Sequence, residues 1–165
     1  MYKKYLMLLV SLIILALCAG CGDPVKSDLE AYLNFEMGIQ KEAEDLSLDV
    51  AGNLKSVGHS KDEALKAFKD ATQRLTEYAD KQKGYQPKTQ EVQNIHGKMT
   101  KMLDDTLEVF QQLTILVEND PKQPTKEDLD KLNQKQQEII TLTKEYRNDL
   151  YKLAEQKKVE VKLKF

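Results

Sequence analysis

The 165-residue chain has no tryptophan and few cysteines, prolines and glycines. Its two cysteines, Cys18 and Cys21, both lie near the N-terminus. The rest of the sequence therefore has no thiol for a disulfide or for a thiolate-bound metal. Because the four prolines and seven glycines are clustered, long stretches are free of helix-breaking residues. We expect a helical protein that is stabilised by packing.

The sequence also lacks a block of like charges. Its 25 basic and 27 acidic side chains are interspersed and give a formal net charge of −2. Binding to nucleic acid or to anionic lipid requires a clustered basic surface. We therefore expect no nucleic-acid partner and no direct electrostatic adhesion to a membrane.

Residues 1–20 have the three-part layout of a secretory signal peptide. Lys3 and Lys4 supply the positive charge, and an apolar run over residues 6–17 is interrupted only by Ser11. A run of about a dozen residues is shorter than the ~20 that a transmembrane helix needs. The pattern predicts a signal peptide that is removed on export. The alternatives are a signal of the ordinary, non-lipoprotein kind and an uncleaved anchor.

The end of this segment resembles the lipobox of bacterial lipoproteins, in which Leu, two small residues and Cys are successive. Ala19 and Gly20 match the small residues before Cys21, whereas Cys18 stands where Leu is usual. Lipidation of Cys18 would place the bulky Leu17 directly before the modified residue, which does not suit processing. The resemblance implies that Cys21 begins the mature protein and carries a diacylglycerol thioether, with fatty acylation such as palmitate on the new amine. Two or more acyl chains give stable membrane anchoring.

The first predicted helix begins at Asp23 and Pro24, since proline suits the first helical turn. Its apolar residues recur every three or four positions, which indicates one helical face. Gly38 and Gly52 lie inside this segment, and a kink or a break near either is the alternative. The predicted apolar face consists of Leu29, Leu33, Met37, Ala43, Leu46, Val50, Leu54 and Val57.

The second and third predicted helices have clear start signals. Ser60 and Glu63 form a capping box for the second helix, which ends in the Gly- and Pro-containing segment 83–87. Thr89 is the predicted N-cap of the third helix. The predicted apolar faces are Ala64, Phe68, Ala71, Leu75 and Tyr78 in the second helix, and Val92, Ile95, Met99, Leu103, Leu107, Phe110, Leu113 and Val117 in the third.

Thr125 is the predicted cap of the fourth helix, with acidic residues at its positive end. Gln136 and Thr143 interrupt the apolar face of this helix. They either set the register of the bundle, remain exposed, or line a small pocket. The predicted apolar face is Leu129, Leu132, Ile139, Tyr146, Leu150 and Leu153.

Four amphipathic helices with short connections predict an all-α, antiparallel four-helix bundle over residues 21–158, with coiled-coil-like packing. A three-helix bundle is the alternative, if the first helix is broken or lies apart. Residues 159–165 alternate apolar and charged side chains, which is a strand pattern without an obvious partner strand. For this C-terminal tail we expect a frayed helix end or a flexible segment. The alternative is that the tail is an apolar peptide for a partner.

Candidate catalytic and metal-binding residues are scarce. The two histidines, His59 and His96, have no carboxylate three residues before them and no second histidine at helical spacing. We expect His59 at the surface and His96 half-buried. Asp104, Asp105 and Glu108 are expected to form a solvated face. We predict no catalytic residue, no cofactor and no metal site, and therefore no enzyme.

The seven tyrosines are candidates for the lining of a binding groove, although helical spacing favours core edges for most of them. The predicted second loop contains Tyr85, Gln86 and Lys88, which form a candidate contact surface. The opposing interpretation is that Tyr85 packs back over the helix ends. The tyrosines considered for a groove are Tyr32, Tyr78, Tyr85, Tyr146 and Tyr151.

The chain resembles a poorly characterised group of small lipoproteins of Gram-positive bacteria. The resemblance implies a helical domain held by its lipid on the outer face of the cytoplasmic membrane, and it implies no activity. The features that carry it are 21–25 (CGDPV), Asp28-Leu29, 32–34 (YLN), 87–92 (PKTQEV), His96, Tyr146 and Leu153-Ala154.

These observations favour a membrane-anchored, non-catalytic binding or interaction module. Its partner would be a protein, a peptide or an envelope polymer. The alternative function is an exclusion or immunity lipoprotein, which docks on a toxin, a phage or a conjugation machine and blocks it.

Overall fold

A computed structural model describes residues 22–56, 60–119 and 125–163. The predicted signal peptide, Cys21 and His59 lie outside the described residues. The described part is all-helical and contains four helices: α1 Pro24–Ser56, α2 Lys61–Gly84, α3 Gln90–Glu118 and α4 Lys126–Lys157. It contains no strand, and none of its helices is sufficiently long and apolar to span a bilayer.

The helices form a four-helix bundle, which confirms the predicted fold. Consecutive helices pack extensively against each other, whereas α1 meets α4 over a much shorter stretch. Short connections between extensively packed neighbours give the up-down-up-down order. Helix α1 runs without interruption through Gly38 and Gly52, so the predicted alternative of a break is wrong.

Three of the four predicted helix starts have a side chain that caps the helix. Ser60 Oγ accepts a hydrogen bond from the Glu63 backbone N–H at 3.2 Å. Thr125 and Asp128 form the reciprocal capping box of α4. Asp23 Oδ1 accepts from the Val25 N–H at 3.0 Å at the start of α1. Each cap satisfies backbone donors that the first helical turn leaves without a partner.

One set of buried side chains, which we call the terminal cluster, joins α1, α3 and α4 at the end of the bundle that holds both described chain ends. It consists of Leu29, Tyr32, Leu33, Val92, Ile95, Tyr146, Leu150, Leu153 and Ala154. Val159, Val161 and Leu163 pack against it, so the described part of the C-terminal tail covers the core as an irregular segment. The alternation that resembles a strand arises because every second side chain turns inward.

A second set, the central cluster, lies further along the bundle and joins α1, α2 and α3. It consists of Leu46, Leu75, Tyr78, Ala79 and Leu103. Partly buried apolar residues surround it, and none of the described members comes from α4. In the described residues, α1 and α3 contribute to both clusters, whereas α4 contributes to the terminal cluster and α2 to the central cluster.

The buried face of α1 differs from the predicted one at single positions. Met37 is 38% exposed, whereas Tyr32 and Glu36 are buried. The seam follows residues 25, 29, 32, 36, 39, 43, 46 and 50, which are also spaced by three and four. Because position 36 is a glutamate, a search for apolar residues alone does not detect this seam. In α4 the predicted Leu129 is also exposed, at 47%.

Candidate functional site

An apolar groove of about 590 Å³ lies beside the central cluster. Its lining on α3 extends from Met99 to Phe110, which at 1.5 Å per residue is about 16 Å, or three helical turns. No described residue of α4 lines it. The lining residues are Ala43, Leu46, Ser47 and Val50 of α1, Leu75 and Tyr78 of α2, and Met99, Met102, Leu103, Thr106 and Phe110 of α3.

No charged side chain is among the described residues that line the groove, and most of the hydroxyl groups there are already hydrogen-bonded. Thr106 Oγ1 donates to the Met102 carbonyl at 2.7 Å. The Tyr78 hydroxyl accepts from Gln82 Nε2 at 3.2 Å. The two methionines are flexible and adapt to the shape of a partner. The groove therefore suits an apolar ligand surface and has no group that would fix a charged one.

The groove is remote from the end where the described chain begins. Lys157 Nζ pairs with Asp23 Oδ2 at 2.8 Å, which places the start of α1 beside the end of α4. Leu46 lies 22 residues after Pro24 along the continuous helix α1, or about 33 Å from the helix start. A ligand in the groove would be held well away from the N-terminal end of the domain.

A buried polar network lies between the two clusters. Glu36 of α1 is 5% exposed, and Gln82 of α2 is fully buried. Gln82 Nε2 donates to Glu36 Oε2 at 3.1 Å. Glu36 Oε1 and Gln82 Oε1 have no hydrogen-bond partner among the described residues. Burial raises the pKa of Glu36, and the nearby Tyr32 hydroxyl and the hydrogen bond from Gln82 oppose this rise only in part.

Two tyrosines connect this network to α4. The Tyr32 hydroxyl donates to the Tyr146 hydroxyl at 3.3 Å, and both side chains are almost completely buried. Burial is the main reason that the pKa of each phenol is raised, and the nearby Glu36 carboxyl adds to the rise. Both phenols are therefore neutral at physiological pH.

His96 is more buried than predicted, at 7% exposure. Its ring packs edge-on against Tyr32 and Tyr85, with centroids 5.6 and 5.7 Å away. Burial lowers its pKa, and hydrogen bonding to the backbone of Gln82 and Tyr85 opposes this. The described residues contain no group of three or more Asp, Glu, His or Cys side chains that could hold a metal. His96 is therefore placed as a neutral core residue.

The α2–α3 loop is fixed to α1, and Tyr85 packs back over the helix ends. Its ring stacks on Phe35 with centroids 4.5 Å apart. Asp28 Oδ2 accepts hydrogen bonds from the Lys88 N–H at 2.9 Å and from the Thr89 N–H and hydroxyl, each at 2.7 Å. Thr89 is the N-cap of α3 by conformation, but its side chain makes no capping bond to α3. Gln86 and Lys88 are exposed.

The predicted solvated acidic face is wrong at Asp105, which is 5% exposed. Its carboxylate pairs with Lys101 at 2.9 Å and with Lys135 of α4 at 3.2 Å. Burial acts to raise the pKa of Asp105, but the hydrogen bonds from the two lysines outweigh it and lower the pKa. Asp104 and Glu108 are exposed and pair with lysines on the neighbouring helices α2 and α4. These carboxylates hold helices together and do not converge on a site.

The polar interruptions of α4 do not line the groove. Gln136 is exposed. Thr143 is half-buried, and its hydroxyl lies 2.8 Å from the Ile139 carbonyl and 3.0 Å from Met102 Sδ. Of the tyrosines considered for a groove, Tyr78 contributes to the lining. Tyr32 and Tyr146 belong to the terminal cluster.

Sequence reasoning missed the groove and the Glu36–Gln82 pair. Glu36 follows Tyr32 by four residues, and Gln82 follows Tyr78 by four. A search for polar residues that continue a helical seam would have found both. The chain matches no family model, and no curated protein or solved structure shows significant similarity to it.

Proposed function

We propose that the protein is a lipid-anchored, non-catalytic binding module on the outer face of the cytoplasmic membrane. Its apolar groove takes the apolar face of an amphipathic helix from a partner protein. The observation that carries this proposal is the 590 Å³ groove, whose described lining comes from three helices and includes no charged residue.

The shape of the lining favours a helix as the occupant. Residues 43, 46, 47 and 50 of α1 and residues 99, 102, 103, 106 and 110 of α3 form two ridges at helical spacing. The channel between two such ridges accepts the side-chain ridge of a further helix. A stretch of about 16 Å accommodates three turns, with apolar anchors at i, i+3 or i+4, and i+7.

The position of the groove favours a protein partner over the acyl chains of the anchoring membrane. The lining at Leu46 is about 33 Å from the start of α1, and this helix begins three residues after Cys21, the proposed lipid-bearing residue. A hydrocarbon core is itself about 30 Å thick. An acyl chain would have to leave the bilayer completely to reach the groove.

Ser47 provides a test because it is exposed at the edge of the groove. A photo-reactive amino acid at Ser47 of the full chain, in living cells, should form an adduct whose cross-linked peptide maps to the apolar face of one amphipathic helix. Ser27 is the matched control, since it is an exposed serine of the same helix near the N-terminal end. A synthetic peptide of the mapped helix should bind purified protein, and Ser47→Lys should abolish this binding while Ser27→Lys should not.

Other adducts would contradict the proposal. A lipid adduct at Ser47 would assign the groove to acyl chains, and a second copy of this chain would assign it to self-association. Equal yields at Ser47 and Ser27 would remove the groove from the interaction. If the mapped helix belongs to a toxin, a phage or a conjugation protein, the same groove serves exclusion or immunity.

The anchor is tested separately at Cys21. We predict that Cys21→Ala abolishes incorporation of a fatty-acid analogue and leaves the precursor uncleaved or releases the protein into the medium. The motive is the sequence Ala19-Gly20-Cys21. Equal labelling of the variant and the wild-type protein would refute lipidation at this residue.

A further inference from the structure

In the polar network between the clusters, two buried acceptor atoms have no hydrogen-bond donor among the described residues. Glu36 Oε1 and Gln82 Oε1 have no partner in the described part of the chain, although the same two side chains are joined by a 3.1 Å hydrogen bond through Gln82 Nε2 and Glu36 Oε2. An ionised carboxylate and an amide oxygen can only accept hydrogen bonds. Leaving both buried without a donor is unfavourable.

A single proton removes both deficits. If Glu36 Oε1 carries it, this atom becomes a donor, and the Gln82 amide oxygen of the same pair is the acceptor without a partner. We propose that folded Glu36 is a neutral carboxylic acid that forms a two-hydrogen-bond ring with Gln82, and that a rise in pH opens this ring. The ring joins α1 to α2 beside the groove, since Tyr78 lines the groove and its hydroxyl accepts from the same Gln82 amide.

The groups around Glu36 supply no compensating charge. Tyr32 lies on its own helix, Tyr78 on α2, Tyr85 in the α2–α3 loop and Tyr146 on α4, and all are neutral phenols whose pKa values are raised. His96 of α3 packs against Tyr32, and its lowered pKa keeps it neutral in the folded protein. Among the described residues, no lysine or arginine is paired with Glu36, whose hydrogen bond comes from Gln82.

The direction of the pH effect follows from proton linkage. The ordinary pKa of a glutamate is 4.5, and burial raises that of Glu36 in the folded state. Between these two pKa values the folded protein holds the proton and the unfolded chain does not, so stability falls as pH rises through this window. His96 acts in the opposite direction, since its lowered pKa makes stability fall as pH drops below 6.5. The effect of Glu36 must therefore be measured as a difference between variants.

The Glu36→Gln variant provides this difference. Its amide can make both bonds of the ring without a titrating proton. In purified full-length protein in detergent, the melting temperature of the wild type should fall by several degrees relative to Glu36→Gln between about pH 5 and about pH 9. Glu30→Gln removes an exposed carboxylate from the same helix and should follow the wild-type profile.

Parallel profiles of wild type and Glu36→Gln would overturn the proposal. A second measurement needs no variant. Infrared spectra of the wild-type protein near neutral pH should show the carbonyl stretch of a protonated carboxylic acid, which shifts on 13C labelling of glutamate and disappears at high pH. Absence of that band would show that Glu36 is ionised in the folded protein, and the ring would then be excluded even if Glu36→Gln fails to fold.

Discussion

The two clusters of the bundle are built from similar residues but differ in how completely they are closed. In the terminal cluster Leu29, Tyr32 and Leu150 are fully buried, and the C-terminal tail covers the outer side. In the central cluster the half-buried Val50 lines an open groove. The comparison places the enclosed core at the end of the domain nearest the proposed anchor and the open groove, which is the proposed binding surface, in the remote part.

The cause of the difference lies in the sequence of α4. The C-terminal half of α4 supplies Tyr146, Leu150 and Leu153 to the terminal cluster. Its N-terminal half carries Gln136 and leaves Leu129 exposed, so it contributes nothing to the central cluster.

The largest predicted effect comes from a cavity in the terminal cluster. Leu150→Ala should lower the free energy of unfolding by about 2–5 kcal/mol, because a fully buried side chain is removed from a core that is enclosed on all sides. Val50→Ala should cost less than about 1 kcal/mol, because it enlarges a groove that is already open. Denaturant unfolding followed by circular dichroism measures both. Equal losses would mean that the two regions are equally closed.

The fold could be predicted from the sequence because its signals are local. Capping residues such as Ser60 and Thr125 mark helix starts through bonds that span three residues. Apolar spacing orients α2 and α3 because their own side chains carry the pattern. Asp28, by contrast, accepts hydrogen bonds from residues that are 60 and 61 positions away in the chain. The residues next to Asp28 in the sequence do not indicate these bonds.

The groove could not be predicted for the same reason. The groove lies where no described residue of α4 joins the central cluster. That depends on how α1 and α4 pack together, and these two helices are far apart in the chain. Glu36 was missed because its residue type indicates solvent, although its spacing from Tyr32 indicates the seam. Contacts with residues that are far away in the sequence, such as Gln82, decide whether Glu36 is exposed or buried.

The Asp28 hydrogen bonds offer an intermediate test. Asp28→Asn should cost about 1–3 kcal/mol, since a charged acceptor of three hydrogen bonds from the α2–α3 loop is replaced by a neutral amide. Burial opposes ionisation of Asp28, but the bonds from Thr89 and Lys88 outweigh it and lower the pKa below 3.8. The wild-type protein should therefore lose this stability as pH falls through the lowered pKa, and the variant should not.

Asp70→Asn, at an exposed position of α2, is the control and should have little effect. Unfolding of both variants at several acidic pH values tests the assignment. A loss of stability by Asp28→Asn that is the same at every pH would contradict a charged Asp28 and leave only steric packing.

The smallest predicted effect concerns the tail and decides whether residues 159–163 belong to the core. Val161→Thr keeps the shape of a half-buried side chain that packs on the terminal cluster but places a hydroxyl group there. We expect a loss of about 1 kcal/mol, because the hydroxyl gives up hydrogen bonds to water. Lys162→Thr changes the exposed neighbour and should leave the free energy of unfolding unchanged. If both variants are as stable as the wild type, the tail is not a cover of the terminal cluster. Its apolar residues would then be available to a partner, and the closed end of the bundle would depend on the three helices alone.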